Sequence, residues 1–228
     1  MEAEHLRAII FDFHATLAYK EESVTTGDVI HILQTEGFDV GPQEWESAYR
    51  FVFFIDFPRE RFGSWKEYWG RVFEHLGIRY TERLHQELDQ LFLQGNVWKM
   101  YPEVPGVLKE LSVHFRLGVA TTIPSFQVIP ILGDLASGFS FIGTGDSVGK
   151  AKGSRSFYLT IAEKLGAKPN ESLIVGDDVL LDIQIPHSLG FHTIQLARNN
   201  EPRCEDADFR FSSLEEIETL VLPGGDSE

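Results

Sequence analysis

Residues 9–18 read IIFDFHATLA: four of the first five are apolar, and the exception is the carboxylate Asp12. An apolar run of this kind, taken here as Arg7–Phe13, fits a strand buried on both faces. Two residues beyond Asp12, where a second carboxylate would complete a catalytic pair, stands His14. The fate of that pair is the chemical question the stretch poses.

Similar runs recur downstream at Arg116–Thr121, Phe139–Gly143, Ser172–Val175 and His192–Gln195, with a short one at Phe209–Phe211. Helical patterns alternate with them. Val104, Val107, Leu108 and Leu111 recur at helix spacing with Pro105 in the first turn, and Ser154–Leu165, Leu180–Leu189 and Ser213–Leu222 follow suit. Strands alternating with helices specify an α/β fold, with a parallel sheet covered on both faces. Ligands of such sheets bind at the carboxyl ends of the strands. The residues just past each run are therefore the ones to inspect: Asp12 and His14, Thr121 and Thr122, Lys152, and Asp177, Asp178 and Asp182.

These residue types suit one kind of reaction. A carboxylate can attack phosphorus or carbon and form a covalent intermediate that water then cleaves. A phosphate approaching Asp12 is repelled unless a divalent cation intervenes, and Asp177, Asp178 and Asp182 offer the hard oxygens that Mg²⁺ prefers. A hydroxyl from Thr121 and an ammonium from Lys152 are suited to the remaining phosphate oxygens. Each residue taken singly has a structural explanation, as a turn, a cap or a surface lysine; it is their order at successive strand ends that points to chemistry.

From Leu17 to Met100 the alternation stops, and the segment reads as helices throughout: Thr26–Glu36, Pro42–Phe57, Ser64–Leu76 and Thr81–Gln94. Ser64 and Glu67 have capping-box spacing, and Gly37, Gly63, Gly77 and Gly95 punctuate the ends. This segment is expected to form a helical insert at residues 17–100, between core pieces 1–16 and 101–228. Its dense aromatics, Trp45, Tyr49 and Trp69 among them, suit either a small core or the lining of a pocket or interface.

The 228 residues carry a net charge of −15 and 43% hydrophobic residues. A core is feasible, and binding of nucleic acid through a broad basic patch is disfavoured. One cysteine, Cys204, permits no internal disulfide. No run approaches the ~18 apolar residues of a membrane span, and the amino terminus lacks a signal-peptide pattern. A cytoplasmic protein acting on a small molecule, with no membrane or nucleic-acid partner, is the expectation; oligomeric state is not encoded legibly. PGGDSE, at the carboxyl end, reads as a frayed tail.

IIFDFHATL, LGVATT, VGKAKGSRSFY and VGDDVLLD, in this order, resemble the four motifs of the haloacid dehalogenase-like hydrolase superfamily. YPEVPGVLKEL and ADFRFSSLEEI resemble segments of members that carry a helical cap after the first strand. The resemblance implies a Rossmann-like three-layer core with a cap, and Mg²⁺ as cofactor. It implies Asp12 as nucleophile and metal ligand, with the backbone carbonyl of His14 on the metal. Thr121 would bond the transferring group, and Lys152 would balance charge. Asp177 would ligate Mg²⁺, with Asp178 and Asp182 as further or supporting ligands.

Three features depart from the family pattern: His14 for the acid/base Asp, Ala15 for a usual Gly, and Gly153 for a common Pro. Loss of a general acid/base typically costs about 10²–10⁴-fold in rate, although an imidazole titrates in a suitable range. The leading expectation is a Mg²⁺-dependent hydrolase of a small phosphorylated compound, working through an aspartyl-phosphate on Asp12. A metal-free 2-haloacid dehalogenase fits the altered position 14 but not the retained acidic cluster. A phosphonate hydrolase would need a cap lysine such as Lys66 or Lys20. A weakly catalytic binding or regulatory protein on the same scaffold is the remaining alternative.

Overall fold

A computed structural model of the chain describes residues 5–222. The strands are β1 (Ala8–Phe11), β2 (Ala18–Glu22), β3 (Val97–Met100), β4 (Arg116–Ala120), β5 (Phe141–Gly143), β6 (Ser172–Gly176), β7 (His192–Leu196) and β8 (Phe209–Phe211). Six form one sheet in the order β5-β4-β1-β6-β7-β8, and every neighbouring pair is parallel. This is the α/β fold with a parallel sheet expected from the alternation of runs, and the Rossmann-like core that the family resemblance implies. The side chains of β1, β4 and β6 are almost wholly buried because helices cover both faces. On one face Ala8, Ile10, Ala120 and Ile174 pack with Phe157, Tyr158, Ile161 and Leu165, all but one from the helix Arg155–Lys164. The helix Val104–His114 packs against β4 as well, with Val104, Val107, Leu108 and Leu111 buried.

Strand order explains where the chemistry gathers. β1 sits mid-sheet; its chain continues to β4 and β5 on one side, whereas β6 continues to β7 and β8 on the other. Connections leaving two adjacent strands in opposite directions open a crevice at their carboxyl ends. Phe11 is in register with Val175, and the Asp12 amide donates to the Val175 carbonyl at 2.8 Å. Asp12 and Asp177 thus emerge side by side.

By its contacts the chain divides into two compact units, one running to Tyr19 and resuming at Met100, the other Lys20–Lys99. The second is chiefly helical, with helices Thr26–Thr35, Pro42–Phe51, Phe57–Glu60, Trp65–His75 and Glu82–Gly95. Thr25, Ser64 and Thr81 cap three of them through their side-chain oxygens. Trp45, Trp69, Phe73, Leu84 and Leu88 are buried among themselves and their neighbours, with the Trp65, Trp69 and Phe92 rings stacked or tilted on one another. Ser64 accepts from the Glu67 amide, but the Glu67 carboxylate takes the Gly63 amide at 2.7 Å, so the box is shifted by one residue.

Three expectations need correction. Residues 17–100 are not helical throughout: β2 and β3 pair as a two-stranded sheet at the ends of the segment. The helix expected over 42–57 is interrupted by a π-helical stretch, Val52–Asp56. That expected over 180–189 is π-helical at Val179–Gln184 before turning α-helical at Ile185–Ser188. Residues 223–228, read as a frayed tail, lie outside those described.

Candidate active site

Asp12 leaves β1 as a nearly buried carboxylate, 7% exposed. Lys152 reaches it from the loop before the helix Arg155–Lys164. Its ammonium donates to Asp12 Oδ1 at 2.5 Å and lies 2.8 Å from Asp182 Oδ1. Gly149 and Gly153 both adopt positive φ around this lysine, at +74° and +104°, turning the loop inward. Lys150, two residues earlier, is exposed. Asp182 is fully buried on the π-helical turn after β6. The bare backbone of Gly176 makes room for it, since a Cβ there would overlap the Asp182 carboxyl.

Oxygens of Asp12, Asp177 and Asp182 all lie within 4.8 Å of one another. Burial pushes the Asp177 carboxyl up to about 6, and the charge of Asp12 adds to the shift. Burial likewise raises Asp182, with Lys152 opposing and Asp12 reinforcing. For Lys152, burial works against the charged form, but Asp12 and Asp182 outweigh it and hold the ammonium protonated. Three carboxylates facing one ammonium leave an excess of two negative charges at full ionisation. An all-oxygen donor set with that excess suits a divalent hard cation such as Mg²⁺.

Asp178 does not join this group. Its Oδ1 accepts the Leu180 and Leu181 amides at 2.9 and 2.8 Å, and its own amide donates to Asp182 Oδ2 at 3.1 Å. It caps the turn and helps orient Asp182. Thr121 ends β4 beside β1, 1% exposed; its amide donates to the Gly143 carbonyl and its Oγ1 accepts the Ile123 amide at 3.1 Å. Thr122 follows, half-buried. His14 is exposed in the turn after Asp12, where Ala15 is left-handed at φ +62° and its amide donates to the Ala18 carbonyl at 2.7 Å.

Two residues not singled out in the sequence support these groups. Asp146 is a buried carboxylate that accepts from Thr144 Oγ1 at 2.5 Å and from the Ser125 amide at 3.2 Å, with the Ser125 hydroxyl also bonded to it. It ties the loop after Thr121 to the short helix that precedes Lys152. The Tyr158 hydroxyl donates to the Leu181 carbonyl at 2.6 Å, bracing the turn that carries Asp182. TGD in 144–146 is a Thr cap followed by an acid, the one local hint of the first.

Residues 6–190 match the family described as haloacid dehalogenase-like hydrolase. The chain belongs to that family. This haloacid dehalogenase-like hydrolase is 28% identical over 133 residues to a glyceraldehyde 3-phosphate phosphatase of Methanopyrus kandleri, covering 54% of this chain and 57% of that protein. It is 29% identical over 128 residues to the protein of the same name from Methanocaldococcus jannaschii, covering 53% and 56%. The chain thus spans about half the length of the curated relatives it matches. Among solved structures, a 2-haloacid dehalogenase from Pseudomonas syringae superposes with a TM-score of 0.70 at 21% identity, covering 95% of this chain and 98% of that one. A HAD phosphatase from Thermococcus onnurineus gives 0.64 at 19%, with 95% and 98% covered. Both carry the same fold. Among the described residues, no helix is long and apolar enough to cross a membrane.

Proposed function

We propose that this member of the family is a Mg²⁺-dependent hydrolase of a small phosphorylated compound, with Asp12 as nucleophile. The observation that carries the reading is the buried set of Asp12, Asp177 and Asp182 around a single ammonium, Lys152. A carboxylate that displaces a halide from carbon needs no cation to receive its substrate. One meant to meet a phosphate needs the two further acids to hold a cation. The names of the two relatives from Methanopyrus kandleri and Methanocaldococcus jannaschii agree with a phosphorylated substrate.

Asp12, Asp177 and Asp182 would hold Mg²⁺, with the His14 carbonyl contributing as the family resemblance implies. The ion supplies charge neutralisation where anion meets carboxylate. Two unit charges 4 Å apart interact by about 4 kcal/mol at an effective dielectric of 20. Without neutralisation that repulsion alone would suppress approach of a dianion. Asp12 then attacks phosphorus, forming the aspartyl-phosphate as the bond to the ester oxygen breaks. Lys152 stays protonated through both steps and offsets the negative charge on Asp12 and on the transferring group. Thr121 lies at the neighbouring strand end and bonds a phosphoryl oxygen through its hydroxyl. The leaving oxygen takes its proton from His14, the exposed imidazole two residues past the nucleophile; the neutral ring then draws a proton from the water that cleaves the acyl-phosphate.

Small phosphate esters, glyceraldehyde 3-phosphate among them, test the reading with and without Mg²⁺. Wild type turns over at least one ester, Asp12→Asn none, and chelator abolishes the activity. His14→Ala loses about 10²–10⁴-fold. Turnover that survives chelation overturns the mechanism. Activity unchanged in His14→Ala removes the imidazole from it.

A further inference from the structure

Within the helical unit lies a cavity of about 420 Å³, within the size range of small-molecule sites. Its walls are aromatic: Trp45, Tyr49, Phe53 and Phe92 line it, with the Tyr49 and Phe53 rings stacked at a centroid distance of 5.9 Å. Two of the polar groups at its edge are already satisfied by each other. Glu46 accepts from Arg50 Nε at 3.1 Å and from Thr26 Oγ1 at 2.7 Å, so both of its oxygens are engaged.

Lys20 is different. It lines the same cavity and is half-buried, with its ammonium 5.2 Å from the centre of the Trp98 ring. Among the described residues no carboxylate lies within ion-pair distance of it, and burial draws its pKa below the ordinary lysine value. A desolvated ammonium balanced only by a ring face retains strong demand for an anion. One unmatched positive charge beside stacked aromatic walls complements a ligand with one negative charge and one flat apolar body. A dianion is a poorer match, because the Glu46 carboxylate lines the cavity too.

We propose that this cavity is a binding site for a small aromatic carboxylate, its ring against Trp45, Tyr49 and Phe53 and its carboxylate on Lys20. The site goes beyond the hydrolytic reading and does not rest on it.

Calorimetric titration of the full chain in EDTA, carrying Asp12→Asn, isolates the site from any turnover. Naphthalene-1-acetate is the probe, with naphthalene-1-acetamide as its neutral twin and hexanoate as its non-aromatic counterpart. The carboxylate binds at least tenfold more tightly than either. Adding Lys20→Met removes that preference, Lys20→Arg retains it, and both variants keep the parent melting temperature within 2–3 °C, about what a change of 1 kcal/mol gives at this size. No binding of the naphthyl acid, equal binding of the amide, or a preference that survives Lys20→Met overturns the proposal. These outcomes are independent of whether the protein hydrolyses any phosphate.

Discussion

Ala15 holds a left-handed backbone in the turn between Asp12 and β2, a conformation that costs a residue with a Cβ about 1–2 kcal/mol. Glycine would remove that cost but raise unfolded-state entropy by about 0.4–1 kcal/mol. Ala15→Gly is therefore expected to stabilise the protein by about 0.5–1 kcal/mol, seen as a rise of about 2 °C in melting temperature. A lower melting temperature would count against strain at this position. Asp146 offers a sharper case, as a buried carboxylate serving three donors from Thr144 and Ser125. Asp146→Asn turns an acceptor into a donor facing those groups, and about 2 kcal/mol of unfolding free energy should be lost in urea titration. The sequence made strand ends readable, which is why Asp12, Lys152, Asp177 and Asp182 could be picked out before their distances were known. It did not reveal that Asp182, and not Asp178, comes close to Asp12 and Asp177. Asp178 is held by the Leu180 and Leu181 amides, and the bare backbone of Gly176 leaves room for Asp182, neither of which shows in the spacing of the acids. Asp146 stayed hidden because its main partner, Ser125, is 21 residues away.

Element boundaries show a shared cause for two of the departures from expectation. Each π-helical stretch ends two residues before a proline, Pro58 in one case and Pro186 in the other. Proline brings no N–H, so the α-helical bond at that position is missing whichever register is chosen, and the wider π turn loses little by comparison. Apolar periodicity counts residues per turn and is blind to such a slip. The pair β2 and β3 was missed for another reason: AYKEE and VWKM are short, mixed in polarity, and separated by 74 residues. Helix pairing also supplies a negative expectation. Lys66, on the helix Trp65–His75, is exposed and bonded at 2.7 Å to exposed Glu82. Such a pair contributes little, so Lys66→Met should change stability by less than about 1 kcal/mol in the same urea titration and leave turnover intact. Loss of turnover would assign Lys66 a chemical part that its ion pair gives no sign of.

For the whole molecule, alternation of runs disclosed a parallel sheet but not the order of its strands. The central place of β1 follows from which hydrophobic faces meet in three dimensions, and from the opposite courses taken after β1 and β6. Binding of a cation to the native state alone should be visible globally. At Mg²⁺ one hundred times above its dissociation constant, linkage adds about 2.7 kcal/mol to unfolding. Thermal melts with and without Mg²⁺ should therefore separate by several degrees in wild type and coincide in Asp177→Asn. An equal shift in both would indicate unspecific ion effects. The chain leaves the sheet-bearing unit near Tyr19 and comes back near Met100 along two strands that pair with each other. Entry and exit being neighbours, the eighty residues in between behave as a cassette. Insertions, losses or wholesale exchange within it need not disturb the spacing of β1 and β4, so descent with modification can retune one part while the other is inherited intact.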